Sequence, residues 1–331
     1  MKTVKVVVTG ATGQVAYALF PRIASGEMFG ADAEIDLRLS DIPPVIDKAK
    51  GIVMELEDGA YPLLSRIIAS ADRAETHADA NWVLLVGSVP RGPGMERADL
   101  IRKNGPIFVE EGRAIAAHAS PGARVVVVGN PCNTNCLIAR ANAPKVADDR
   151  WSAMTRLDHN RARSLLAKKA GARVSEVKRL AIWGNHSTTL YPDFTNAAVR
   201  GRPASDVIDR AWLENDFIKD VQQRGAAVIA ARGASSAFSA AQALVGHVRS
   251  LLTPTPDDDA FSAAIVSDGS YGVPRGLVSS FPLRSRGDGG YEIVKGLTLN
   301  EFAKSKIATT VAELEKERDV VADLVSAPAR A

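Results

Sequence analysis

Cysteine is nearly absent from this chain of 331 residues. The two present, Cys132 and Cys136, lie in Pro131-Cys132-Asn133-Thr134-Asn135-Cys136, a spacing that suits one face of a helix. Two thiols cannot build a disulfide framework, and without a second pair of ligands they make a poor zinc site. Both are expected to be buried structural thiols, and no metal is called for. Also missing is any stretch approaching the roughly 20 apolar residues that cross a bilayer. The segment Met1-Lys2-Thr3-Val4-Lys5-Val6-Val7-Val8 has too short an apolar run for a secretory signal and stops at a glycine turn. A cytoplasmic protein with no membrane partner is expected. There is no basic tail and no block of like charge. Its 41 basic side chains stand against 38 acidic ones, and the formal charge of +3 is spread along the chain, so nothing calls for nucleic acid. Internal repeats and low-complexity segments are absent too.

What is present is ordinary globular composition, 46% hydrophobic and 24% charged, which argues against a disordered or fibrous chain. The length suits two closely packed domains of roughly 100–200 residues each. In the first half, short apolar runs alternate with longer amphipathic ones, as in βαβ units with a parallel sheet. Val4–Val8, Ile35–Leu39, Ile67–Ala69, Trp82–Val86 and Arg124–Val128 read as strands. Several are apolar almost throughout, as strands covered on both faces should be. Gln14–Ile23 reads as a helix, and Ile52, Val53, Leu56 and Ala60 form an apolar stripe that could pack internally or meet a second subunit. The chain turns polar and irregular near Pro144–Asp149, and the boundary is placed there, giving domains 1–152 and 153–331. The second half offers a basic helix over Arg156–Ala170, a strand over Val177–Trp183, and helices over Trp212–Ala231 and Ser235–Leu251. It ends in an amphipathic helix carrying Ile307, Val311, Leu314, Val321 and Val325.

Thr9-Gly10-Ala11-Thr12-Gly13-Gln14-Val15-Ala16 follows the first strand and opens a helix, so it reads as a dinucleotide turn. Gly10 permits the tight turn, Gly13 lets the backbone approach a pyrophosphate, and small Ala16 allows close packing of helix on strand. Amide groups at the helix start, at Thr12, Gly13 and Gln14, would receive the phosphate charge. Asp41 ends the second strand, where a carboxylate can accept both ribose hydroxyls and repel a 2′-phosphate, which favours NAD over NADP. It lies 31 residues after Gly10, beyond the roughly 20 of the simple fingerprint, and the long Ala24–Ala33 connection accounts for the excess. Val128-Gly129-Asn130-Pro131 ends the fifth strand at the edge where ligands bind. There the Asn130 amide could serve a nicotinamide, a substrate oxygen or merely a turn.

In Thr155-Arg156-Leu157-Asp158-His159-Asn160-Arg161, Asp158 and Arg161 share a helix face. Trp183-Gly184-Asn185-His186-Ser187 follows a strand. A carboxylate that fixes an imidazole tautomer and stabilises its charged form would make His186 a competent base at neutral pH. Arg161 could grip a carboxylate through two hydrogen bonds. Pro90-Arg91-Gly92-Pro93-Gly94-Met95-Glu96-Arg97 reads as a closing loop that carries Arg91 and Arg97. His159 points away from its neighbour and reads as structural, as do His77, His118 and His247, which have no motif around them.

Together with Met54-Glu55-Leu56-Glu57-Asp58 and Gly-Asn-Pro-Cys-Asn-Thr-Asn at 129–135, these motifs span essentially the whole chain. The sequence resembles the lactate and malate dehydrogenase superfamily, and within it the malate dehydrogenases of the cytosolic type. The resemblance implies an α/β fold, a Rossmann-type doubly wound parallel sheet with a second α/β substrate domain. It also implies NAD as cofactor and reversible conversion of malate to oxaloacetate. It makes Asp158 and His186 the proton relay and gives Arg161 the C1 carboxylate, Arg97 the C2 oxygen and Arg91 the distal carboxylate. It places Asn130 against substrate and nicotinamide, lines the pocket with Ser235 or Ser236, and sets the helix containing Leu56 in a homodimer interface. Gly92 stands where a second basic residue is frequent, and Cys132 where alanine is common. An arginine buried without its partner costs about 3–5 kcal/mol, so Arg91 should reject pyruvate several hundredfold or more.

Overall fold

The computed structural model describes residues 1–90 and 94–325, arranged as two compact units. The first comprises Met1–Ala153 together with 240–245 and the chain from residue 317; the second comprises Met154–Ser239 and 246–316. The sequence expectation placed one boundary at 152/153 and made each domain a single stretch. By contact, the two later segments belong with the first unit.

The first unit is built on six parallel strands: β1 (Lys2–Thr9), β2 (Ala33–Ser40), β3 (Leu64–Ser70), β4 (Trp82–Leu85), β5 (Arg124–Val127) and β6 (Trp151–Ala153). Their order is β3-β2-β1-β4-β5-β6. This is the doubly wound arrangement in which strand order reverses between β1 and β4 and ligands gather at the carboxyl ends beside that switch. The strands are valine-rich because helices cover both faces, and Val6, Val7, Val8, Val125, Val126 and Val127 are fully buried. The helices of this unit are α1 (Gln14–Ala24), α2 (Ala49–Asp58), α3 (Arg73–His77), α4 (Arg97–His118) and α5 (Cys132–Ala141). Ala16, Leu19, Phe20 and Ile23 bury one face of α1, at the spacing that a 3.6-residue period dictates. A reciprocal capping box of Glu96 and Asp99 starts α4. In α2, Leu56 faces the core, Ile52 and Val53 are half-buried, and Ala60 is exposed past the helix end at positive φ. The expected stripe is therefore divided between the core and the surface. Cys132 and Cys136 are free, buried and both on α5, and burial pushes the Cys136 thiol far up, so it stays neutral.

In the second unit, α6 (Arg156–Lys169) is followed by β7 (Val177–Lys178), β8 (Ala181–Trp183), β9 (Tyr191–Asp193), β10 (Ala198–Val199), β11 (Arg202–Pro203), β12 (Phe261–Val266), β13 (Val278–Ser285) and β14 (Tyr291–Ile293). Strands β12, β13 and β14 form an antiparallel meander, β8 pairs with β9, and β7 and β11 flank β10. Val177–Trp183 is not one strand as expected. Arg179 takes φ 56 between β7 and β8 and breaks the run. The long helix expected over Trp212–Ala231 runs from Arg210 to Arg232 and contains a wide π turn at Leu213–Phe217. The next helix begins at Phe238, leaving Ser235 and Ser236 in the connection before it. Glu301–Val320 is a continuous helix. Among the described residues no helix is long and apolar enough to cross a membrane.

Candidate functional site

In the first unit the glycine turn sits at the carboxyl end of β1. Gly10 has φ 63, and a Cβ there would lie 2.4 Å from Gly87 Cα, just past β4, so only glycine fits. Gly13 caps α1 without a side-chain hydrogen bond, and the first helical turn holds no acidic residue. The amides at the start of α1 are thus offered to an anion, and Gln14 stands exposed beside them. Asp41 closes the turn from the end of β2. Its Oδ2 accepts from the Thr12 amide and the Thr12 hydroxyl, each at 2.8 Å, while Oδ1 accepts from the Ile42 amide. The Thr12 amide is thus held by Asp41 and the Gly13 amide by the Gly10 carbonyl at 2.9 Å, so the amides offered to an anion begin at Gln14; with the glycine φ, the absent Cβ volume and the adjacent carboxylate they fit a dinucleotide.

Asn130 is exposed just beyond β5, and its carbonyl accepts from Asn104 Nδ2 at 3.1 Å. The same Asn104 side chain accepts from the Val89 amide and donates to the Val89 carbonyl. This buried asparagine of α4 thereby pins together two strand-end loops. Arg97, the first residue of α4, donates through Nε to Glu317, whose other oxygen accepts from Thr134. Arg97 Nη2 is buried with no hydrogen-bond partner among the described residues. Arg91, expected to read the distal substituent, lies outside the described residues with Gly92 and Pro93.

The second unit holds the histidine. β8 is entirely buried, and Trp183 packs edge-on against Tyr271 and Phe281 with ring centroids 4.9 and 6.0 Å away. The chain then turns at Gly184 (φ 85), which exchanges backbone hydrogen bonds with Ser280 of β13. His186 projects from this turn, and its Nδ1 meets Asp158 Oδ2 at 2.5 Å. A carboxylate only accepts, so Nδ1 carries the proton, the tautomer in which Nε2 is the basic nitrogen. Asp158 is 1% exposed. Its other oxygen meets Arg161 Nη1 at 3.5 Å, one turn along α6. Arg161 Nη2 also donates to Ser236 Oγ at 3.2 Å. Burial lowers the Arg161 pKa, the attraction of Asp158 opposes that shift, and Arg224 adds to it. A partly desolvated guanidinium of this kind favours an anionic ligand. Of the two candidate serines, Ser236 reaches Arg161, while Ser235 is exposed and its carbonyl accepts from Arg232.

The remaining histidines are elsewhere engaged or exposed. His159 is buried with Nδ1 3.0 Å from Ser262 Oγ, and burial beside Arg156 and Arg163 pushes its pKa well down. His77 faces Glu111, and His118 is exposed at the end of α4. Among the described residues no cluster of three or more histidine, cysteine or acidic side chains could hold a metal.

Sequence reasoning missed Asn104, Glu317, Thr310 and Glu313. Asn104 holds Val89 and Asn130, Glu317 holds Arg97, and Thr310 and Glu313 accept from the amide and the side chain of Asn185; no local motif marks them.

Residues 4–149 match the lactate/malate dehydrogenase NAD binding domain, and 155–325 match the alpha/beta C-terminal domain of the same family. A malate dehydrogenase of Magnetococcus marinus is 52% identical over 323 residues, 97% of this chain and 98% of that protein. The crystal structure of malate dehydrogenase from Naegleria fowleri, 41% identical, covers 98% of this chain and 99% of its own, with a TM-score of 0.94. Trichomonas vaginalis lactate dehydrogenase in complex with NADH and oxamate, 33% identical, reaches 0.93 over 98% and 99% of the two chains. A glycine turn suited to phosphate in one unit, a carboxylate-held histidine beside a half-buried arginine in the other, and family matches across both halves lead to one conclusion: the chain belongs to the lactate/malate dehydrogenase family.

Proposed function

We propose that the chain oxidises (S)-malate to oxaloacetate with NAD, reversibly, using His186 as the base. The observation that carries this reading is the 2.5 Å contact from His186 Nδ1 to the buried Asp158 carboxylate, with Arg161 on that carboxylate's other oxygen. NAD, held by the Gly10 turn and Asp41, would supply the acceptor for the C2 hydride. His186 Nε2 removes the 2-hydroxyl proton, and Asp158 stays ionised and stabilises the imidazolium that results. Arg161 grips the C1 carboxylate through its paired N–H groups. Arg97 polarises the C2 oxygen, with its Nε held by Glu317 and Nη2 still free to donate. Asn130 contacts substrate and nicotinamide, and Ser236, rather than Ser235, lines the pocket beside Arg161. Gly10, Thr12, Gly13 and Gln14 bind the pyrophosphate, and Asp41 binds the adenosine ribose.

Both activities of the family occur among the relatives, so lactate dehydrogenase is the second reading. An arginine at position 91 favours the dicarboxylate, since pyruvate would leave that charge without a partner. Resemblance to the cytosolic type supports a cytoplasmic homodimer. Met54 of α2 and Tyr17 of α1, 62% and 47% exposed, are apolar groups suited to burial against a second copy. NADH oxidation followed with oxaloacetate, with pyruvate and with neither, then repeated with NADPH, tests reaction, substrate and cofactor together. Turnover should require oxaloacetate and NADH; preference for pyruvate would reverse the substrate assignment.

A further inference from the structure

The catalytic turn is held by a carboxylate that none of its own motifs contains. The Glu301–Val320 helix presents Thr310 and Glu313 on one face, three residues apart. Thr310 lies hard against the turn. A Cβ at Gly184 would stand 2.0 Å from Thr310 Cγ2, and the Asn185 amide donates to Thr310 Oγ1 at 2.9 Å. One turn further along the helix, a single oxygen of Glu313, Oε2, gathers three donors. Asn185 Nδ2 reaches it at 3.0 Å, Thr189 Oγ1 at 2.5 Å, and the Ser187 hydroxyl also donates to it. Ser187 and Thr189 are hydrogen-bonded to each other, and Thr189 reaches Thr310 as well.

His186 is thus bracketed: the residue before it, the residue after it and Thr189 all converge on one carboxylate oxygen. Asn185 is fully buried, so without Glu313 its amide would lose a charge-assisted partner in a place where water cannot replace it. Asp158 fixes the imidazole about its own axis. It does not fix the backbone from which the imidazole hangs. Catalytic geometry tolerates about 0.5 Å, and a 1 Å displacement can cost on the order of 10²-fold in rate.

We infer that Glu313 is a positioning residue for the proton-transferring histidine, setting the height and tilt of the Gly184–Thr189 turn so that Nε2 meets the substrate hydroxyl. The inference rests on the assignment of His186 as the base.

Its test uses the full-length enzyme and four variants: Glu313→Ala, Glu313→Gln, Leu314→Ala and His186→Asn. Leu314 is buried on the same helix outside the turn, so Leu314→Ala reports what loss of helix packing alone does. Glu313→Ala should lower kcat about 10- to 100-fold while leaving NADH affinity within twofold. It should also raise the primary isotope effect with 2-deuterated malate, because hydride and proton transfer become limiting. Glu313→Gln, which keeps one acceptor oxygen, should recover part of the loss. Leu314→Ala should lose thermal stability with kcat and isotope effect unchanged. If Glu313→Ala only melts earlier, with parental kcat and isotope effect, the inference is overturned. Should Glu313→Ala not fold, Glu313→Gln is judged by the same readouts, and parental values there overturn it equally. His186→Asn separates the two layers. Its failure to abolish turnover would remove the underlying assignment, whereas a dead His186→Asn beside an unaffected Glu313→Ala removes the positioning role alone.

Discussion

The two glycine turns at strand ends that carry the proposed cofactor site and the proposed base are built from different materials. The Gly10 turn is made of backbone. Its binding groups are amides, its shape comes from a positive φ and an absent Cβ, and its supports, Gly87 and Asp41, stand at the carboxyl ends of neighbouring strands in register with β1. The Gly184 turn is made of side chains. The group it presents is an imidazole, the proposed base, and its supports come from α6 through Asp158 and from the Glu301–Val320 helix through Thr310 and Glu313. A backbone site is damaged by added volume, whereas a side-chain site is damaged by removal of a few atoms. Binding and chemistry should therefore fail separately.

The largest expected effect lies on the side-chain half. Arg161→Ala leaves the substrate carboxylate unpaired beside Asp158, at a cost of about 3–5 kcal/mol. kcat/KM for oxaloacetate should fall roughly 10²–10⁴-fold, with NADH affinity unchanged in a fluorescence titration. A parallel loss of NADH binding would break the separation. On the backbone half, Gly10→Ala forces a side chain into φ 63 and against Gly87. Strain of about 1–3 kcal/mol should weaken NADH binding roughly 5- to 150-fold. Turnover at saturating cofactor should stay near the parental value, and a fall in kcat with unchanged affinity would merge the two turns into one system.

Acid should also tell the two units apart. Burial, with Arg156 adding to it, pushes His247 down to about 3, and His159 is lowered in the same direction; both belong to the second unit. A depressed histidine is neutral when folded and protonates on unfolding below its ordinary value near 6.5. Stability from it is complete above that pH and is lost as pH falls toward the folded value, by about 1.4 kcal/mol per pH unit for His247. Amide exchange between pH 7 and pH 5 should show the second unit losing protection first. Loss beginning in the first unit would contradict the buried-histidine explanation.

The same contrast explains what could be read in advance. A backbone site advertises itself locally, so β1, the glycine turn and α1 were legible from Val4 to Ile23, and Asp41 from its place at the end of β2. The pairing of Asp158 with Arg161 was legible because three residues on a helix share a face. What the residues could not announce was long-range. Glu313 looks like one more charge on a charged helix, and Asn104 like a polar residue in α4; their meaning is in what folds onto them. The break between β7 and β8 arises at Arg179, whose positive φ has no glycine to signal it. The return of 240–245 to the first unit is likewise a packing outcome invisible to periodicity.

The central claim is that Asp158 makes His186 the base, and Asp158→Asn tests it with almost no change in shape. Single-turnover formation of NADH from (S)-malate, with enzyme and cofactor saturating, reads the hydride step itself. The account predicts that this step slows on the order of 10²–10⁴-fold while NADH affinity and melting temperature stay near those of the parent. A hydride step at the parental rate in Asp158→Asn would contradict it.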